Sequence, residues 1–144
     1  MFKILAVLGL GLVFVGAALA GLPSANSGTI SVYVPGAGGA ASSQPHYEGS
    51  VAFNTTGTNR LKNPRVWVSC FQNGTRVYGE GTSPSSTLKL GGDMSQWVMD
   101  GGGPATCTAD LYYILNAKGT GEWTGNGAQG GNVYLGHTTF DATG

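Results

Sequence analysis

Arg65-Val-Trp-Val-Ser-Cys-Phe-Gln-Asn-Gly-Thr-Arg-Val-Tyr-Gly-Glu-Gly81 carries the strongest local signal in the chain. Asn73-Gly74 supplies two residues that readily take positive φ, as a type I′ turn requires, between two runs rich in β-branched and aromatic side chains. The stretch predicts a β-hairpin, and the two-residue turn sets its register: Gln72 opposite Thr75, Phe71 opposite Arg76, Cys70 opposite Val77, Ser69 opposite Tyr78 and Val68 opposite Gly79. Because side chains alternate across a strand, one face collects Val66, Val68, Cys70 and Val77. The other collects Trp67, Phe71, Arg76 and Tyr78, with Arg76 able to lie over the Phe71 ring.

Outward from this hairpin the same grammar recurs. Short alternating runs bounded by Gly, Pro, Asn and Ser occur at 29–34, 50–54, 86–90, 96–99, 105–115 and 132–140, and no window beyond residue 28 has apolar residues at helical spacing. The expected fold is all-β, a two-sheet antiparallel β-sandwich of about seven or eight strands. In the run 105–115 the odd positions Ala105, Cys107, Ala109, Leu111, Tyr113 and Leu115 form the core face, leaving Thr106, Thr108, Asp110 and Tyr112 on the other. Glycine-rich stretches at 35–45 and 118–131, the second around Glu122 and Trp123, read as linkers, loops or partner-binding segments.

A chain of 144 residues with 41% apolar content accommodates one small domain, assigned to 29–144. Charged side chains make up only 10% of it and the formal net charge is zero, so solubility rests on Ser, Thr, Asn and Gly. Nucleic acid is excluded as an expected partner, because phosphate binding needs a basic excess and nothing denser than Arg60, Lys62 and Arg65 is present.

Residues 1–20 have the form of a secretory signal peptide: Lys3, an apolar run over 4–20, and Ala18-Leu19-Ala20 before a cut at Gly21, with 21–28 as a short linker. The alternative is an uncleaved anchor, since a helix over 4–20 falls just short of a hydrocarbon core and mismatch costs little. Export puts the only two cysteines in an oxidising compartment, so Cys70 and Cys107 are expected to form one disulfide. Both lie on the buried face of their runs, as an inter-sheet bridge would require.

On these residues the chain resembles an immunoglobulin-like β-sandwich: cysteines on two strands, apolar alternation about each, and short strands between Gly/Pro turns. It departs from that family at Trp67, which precedes the first cysteine on the same strand, and at Ala105, where a corner tyrosine would stand. A tight hairpin directly after the first cysteine strand is a third departure. The resemblance implies architecture and no particular activity.

Constellations for chemistry are sparse. The chain has two histidines, His46 and His137, and no Gly-x-Ser-x-Gly. His46, Glu48 and His137 could in principle hold a divalent cation, but as two His and one Glu without helical spacing they read rather as surface positions, and no metal or cofactor is expected. Glu48, Glu80, Asp93, Asp100, Asp110, Glu122 and Asp141 single out no catalytic pair. Gly91-Gly92-Asp93 and the turn 100–104 read as tight turns before they read as a calcium loop. Aromatics are more suggestive: Trp67, Phe71, Arg76 and Tyr78 on one hairpin face, with Trp123 in a glycine-rich loop, form a candidate binding face of the kind that stacks sugars or fills protein interfaces. Asn54 and Asn73 head glycosylation sequons.

The expected function is that of an exported, non-enzymatic module acting by contact with protein or carbohydrate at a cell or particle surface. The alternative is a structural subunit of a pilus, surface layer or virion that keeps residues 4–20 and associates with copies of itself. A small secreted enzyme is the third reading.

Overall fold

A computed structural model describes residues 27–36, 44–92, 95–97 and 103–144. The expected signal peptide or anchor over 1–20, residues 21–26 of the linker, most of the 35–45 loop, Asp93, Asp100 and the end of the 96–99 run lie outside the described residues. Seven strands follow in order: β1 (Ile30–Tyr33), β2 (Ser50–Thr55), β3 (Arg65–Gln72), β4 (Thr75–Thr82), β5 (Leu88–Lys89), β6 (Ala105–Asn116) and β7 (Gln129–Ala142). They form two antiparallel sheets, three-stranded β1-β2-β5 and four-stranded β4-β3-β6-β7, that do not close into a barrel. Among the described residues there is no α-helix.

Period-two patterning explains which face of each strand turns inward. Val66, Val68 and Cys70 of β3 lie opposite Leu111, Ala109 and Cys107 of β6, and all six are buried. Val51 and Phe53 of β2, Ile30 of β1 and Leu88 of β5 complete the same apolar cluster from the three-stranded sheet. Trp97 is fully buried at the edge of that cluster. Its ring packs 5.4 Å from the Tyr47 ring and 6.4 Å from the Tyr78 ring, and its indole N–H donates to the Gly103 carbonyl (2.8 Å). The 96–99 run is therefore no strand where it is described: Gln96 and Trp97 sit in a short 3₁₀ turn. Four residues cannot carry a period, and the pull of the core on one large indole decides their shape.

Two sequence expectations are corrected by register. The hairpin pairs Gln72 with Thr75 and Phe71 with Arg76 as expected, but a bulge then leaves Val77 as an extra residue, so Cys70 faces Tyr78, Ser69 faces Gly79 and Val68 faces Glu80. Val77 and Tyr78 are consequently both buried. The disulfide joins Cys70 to Cys107 as expected, but within one sheet, because β3 and β6 are neighbours and the two cysteines are direct partners with Cα atoms 4.0 Å apart. An inter-sheet bridge would have required the two cysteine strands to lie in different layers.

The layers are joined instead by the apolar core and by contacts along the seam. The Tyr78 hydroxyl of β4 sits 2.7 Å from the Lys89 carbonyl of β5 and 2.8 Å from a Glu80 carboxylate oxygen, donating its proton to one or the other. Burial pushes this phenol well above the usual tyrosine value, and the hydrogen bond and negative charge of Glu80 push it further.

Candidate functional site

The outer face of the four-stranded sheet is the surface that these registers assemble. Across β3, β6 and β7 one row reads Trp67, Asp110, His137, and the next reads Arg65, Tyr112, Tyr134. A bulge at Leu135 brings the second row into line: Leu111 pairs with Gly136 and Tyr112 with Tyr134, so Leu135 is the extra residue and turns inward, where it is buried. Tyr134 is left 66% exposed, with its ring 6.0 Å from that of Tyr112 at an angle of 41°.

Trp67 is held in place from beneath. Its indole extends across β4 at Gly79 and Gly81, and a Cβ built on Gly81 would come within 3.0 Å of the ring. These two glycines of β4 are thus the floor on which the indole rests, and the indole N–H donates to the Ser69 hydroxyl at 3.0 Å. The ring remains 37% exposed.

Trp67, Tyr112, Tyr134 and Ile114 then wall a shallow depression of about 350 Å³ whose remaining lining is Asp110, Asn132 and Gln129. Neither lysine nor arginine lines it. Among the described residues the Asp110 carboxylate and the side-chain amides of Asn132 and Gln129 have no hydrogen-bond partner, so their acceptors and donors are open to a ligand. Burial raises the Tyr112 phenol above its usual value, with the positive charge of Arg65 acting against the shift and Tyr134 adding to it, so the hydroxyl keeps its proton at neutral pH.

The residues expected to share one binding face are divided by the structure. Trp67 lines the depression, and Phe71 is exposed on the same sheet face, four residues along β3 and outside the depression. Arg76 and Tyr78 line a separate groove of about 630 Å³ together with Glu80 of β4 and with Gly91, Gly92, Ser95 and Gln96. Tyr78 offers little there, being 7% exposed with its hydroxyl engaged. Trp123 belongs to the β6–β7 connection, where its indole N–H donates to the Gly127 carbonyl (3.0 Å) and its backbone N–H to Ile114 (2.7 Å). Beside it the Glu122 carboxylate accepts from the backbone N–H groups of Lys62 (2.7 Å) and Asn63, which fastens this connection to the β2–β3 loop.

Tyr112 and Asp110 had a visible signal, since both fall on the non-core positions of the 105–115 run. Tyr134, Asn132 and Gln129 had none, because their facing depends on a bulge that no turn residue announces. His46, Glu48 and His137 do not gather: Glu48 takes positive φ in a turn and pairs with Lys89 (3.4 Å), whereas His137 stands opposite Asp110 on the outer face. Among the described residues no cluster of three or more His, Cys, Asp and Glu could hold a metal ion. Asn54 and Asn73 are both exposed. Comparison with protein-family models, with curated proteins and with solved structures returns no match to this chain.

Proposed function

We propose that the protein is an exported, non-catalytic, immunoglobulin-like contact module that engages a cell or particle surface through the outer face of β3, β6 and β7. The observation that carries this reading is the aromatic depression of Trp67, Tyr112 and Tyr134 on a sheet face that no other described element covers. Aromatic side chains exposed together around open polar groups are what recognition surfaces use, because the rings contribute area at little cost in conformational entropy.

The immunoglobulin-like assignment is supported by strand order. First, second and fifth strands share one sheet, and third, sixth and seventh the other, as in immunoglobulin sandwiches. The fourth strand differs, pairing with the third instead of the fifth. The disulfide is in keeping with export, since such bonds persist in oxidising compartments.

The test is cosedimentation of the purified protein with envelope fractions of its source organism. Wild-type protein is expected to sediment with them, and Trp67→Ala to stay in solution with its far-UV circular dichroism unchanged. No association of the wild type, or equal association of the folded variant, would overturn the reading.

A further inference from the structure

Resting on this assignment of the outer face, we infer that the depression on it is a binding site for a neutral carbohydrate, one or two pyranose units of a glycan chain. The lining is divided into the two kinds of surface that a sugar ring presents. Pyranoses carry apolar C–H faces and a rim of hydroxyls; Trp67 and Tyr134 offer exposed ring surface to the first, and Asp110, Asn132 and Gln129 offer carboxylate and amide groups to the second. The three polar side chains have no internal partner among the described residues, so they lose only water when a sugar hydroxyl replaces it.

Two further features select against other occupants. An anionic ligand, whether nucleic acid, sulfated glycan or phosphate, would meet Asp110 and no lining lysine or arginine. A folded protein partner buries on the order of 800 Å² and about 20–30 residues of each surface, well beyond the seven residues that line this depression of about 350 Å³. That volume is instead at the small end of ligand sites, about 300–1,000 Å³. The floor is also preorganised: the glycine pair of β4 and the Ser69 hydroxyl fix the indole before any ligand arrives, so little ordering remains to be done on binding.

Affinity electrophoresis of the full chain through gels containing mixed-linkage β-glucan, galactomannan, hydroxyethylcellulose or pullulan, with heparin as the charged control, tests the inference. Retardation by at least one of the neutral polymers is expected, weakened tenfold or more by Tyr134→Ala and by Asp110→Asn, and unchanged by Phe71→Ala. Tyr134 is mostly exposed and makes no core contact, so its variant separates lost recognition from lost folding. The inference is overturned if none of the four neutral polymers retards the protein. It is equally overturned if Tyr134→Ala and Asp110→Asn leave retardation intact, or if only heparin retains the chain and salt abolishes the effect. Sedimentation with envelope fractions alongside failure in all four gels would leave the contact reading standing and this one refuted.

Discussion

β3 and β4 meet at Asn73-Gly74, whose φ values of 49° and 79° are those of the turn itself, and a Cβ on Gly74 would touch nothing within 4 Å. β6 and β7, in the same sheet, are separated by residues 117–128, and that connection is fastened from a distance by Glu122 to the backbone of Lys62 and Asn63. The first hairpin is specified by its own two turn residues. The second is specified by a carboxylate and two amides some sixty positions apart in the chain. Both are bulged, and both bulges decide which aromatic faces outward: the one at Val77 turns Tyr78 in, and the one at Leu135 turns Tyr134 out. Local encoding and distant encoding therefore contribute to the same face by different routes.

The largest effect is expected where the two hairpins are joined covalently. Replacing Cys70 and Cys107 together by Ala should lower unfolding free energy by about 4 kcal/mol in urea titration, because the closed loop of 37 positions no longer restricts the unfolded chain. A loss below about 1 kcal/mol would show that β3 and β6 are held together almost wholly by their ladder and core.

Next in size is Glu122→Ala, expected to cost about 2 kcal/mol through two charge-assisted hydrogen bonds. Amide exchange at Lys62 and Asn63 should accelerate while that of Val68 and Cys70 stays slow. Uniform acceleration would erase the distinction between the hairpins and show one cooperative unit.

Gly74→Ala isolates the local code. With open space around the new methyl, only the left-handed backbone is penalised, at about 1–2 kcal/mol, and faster exchange should be confined to the turn and the adjoining ends of β3 and β4. An unchanged melting temperature would mean that strand pairing, and not the turn, sets this register.

Tyr78→Phe should have the smallest effect, about 1 kcal/mol at pH 8 for the lost seam hydrogen bond. Its sign with pH is fixed by the raised phenol. Above about pH 10 the unfolded tyrosine ionises first, so the folded state holds the extra proton and wild-type stability falls as pH rises. The gap between wild type and Tyr78→Phe in urea titrations should therefore narrow from pH 8 to pH 11, and a constant gap would contradict the burial of this hydroxyl.

Much of this was legible where the signal is local. The bounds of β3, the start of β4 and the turn between them follow from 65–81 alone, and the buried odd positions 105–113 of β6 follow from alternation. What was not legible depends on the third dimension. The Val77 bulge is hidden because Val77-Tyr78 reads as ordinary alternation, and the unbulged register already buries Val77 without calling for Tyr78 to follow it inward. The pairing of the cysteines followed from their number, whereas their shared sheet is a property of topology, fixed only when β5 crosses to the other layer between them. Trp97 looked like part of a strand because a buried indole and a strand aromatic are spelled alike. The depression is hidden for a related reason: Trp67, Tyr112 and Tyr134 come from three strands, and the Leu135 bulge must be known before they fall side by side.

The position of the bridge also determines how the chain carries load. Tension applied on either side of it passes from Cys70 through the two sulfurs to Cys107, and the intervening residues, which include β4, β5 and Trp97, bear none of it. About 130 Å of contour length, at roughly 3.5 Å per residue, stays slack behind the bond however hard the ends are drawn. A molecule gripping a surface against drag would yield a shorter extension than its length implies, and reduction would release the remainder in one step.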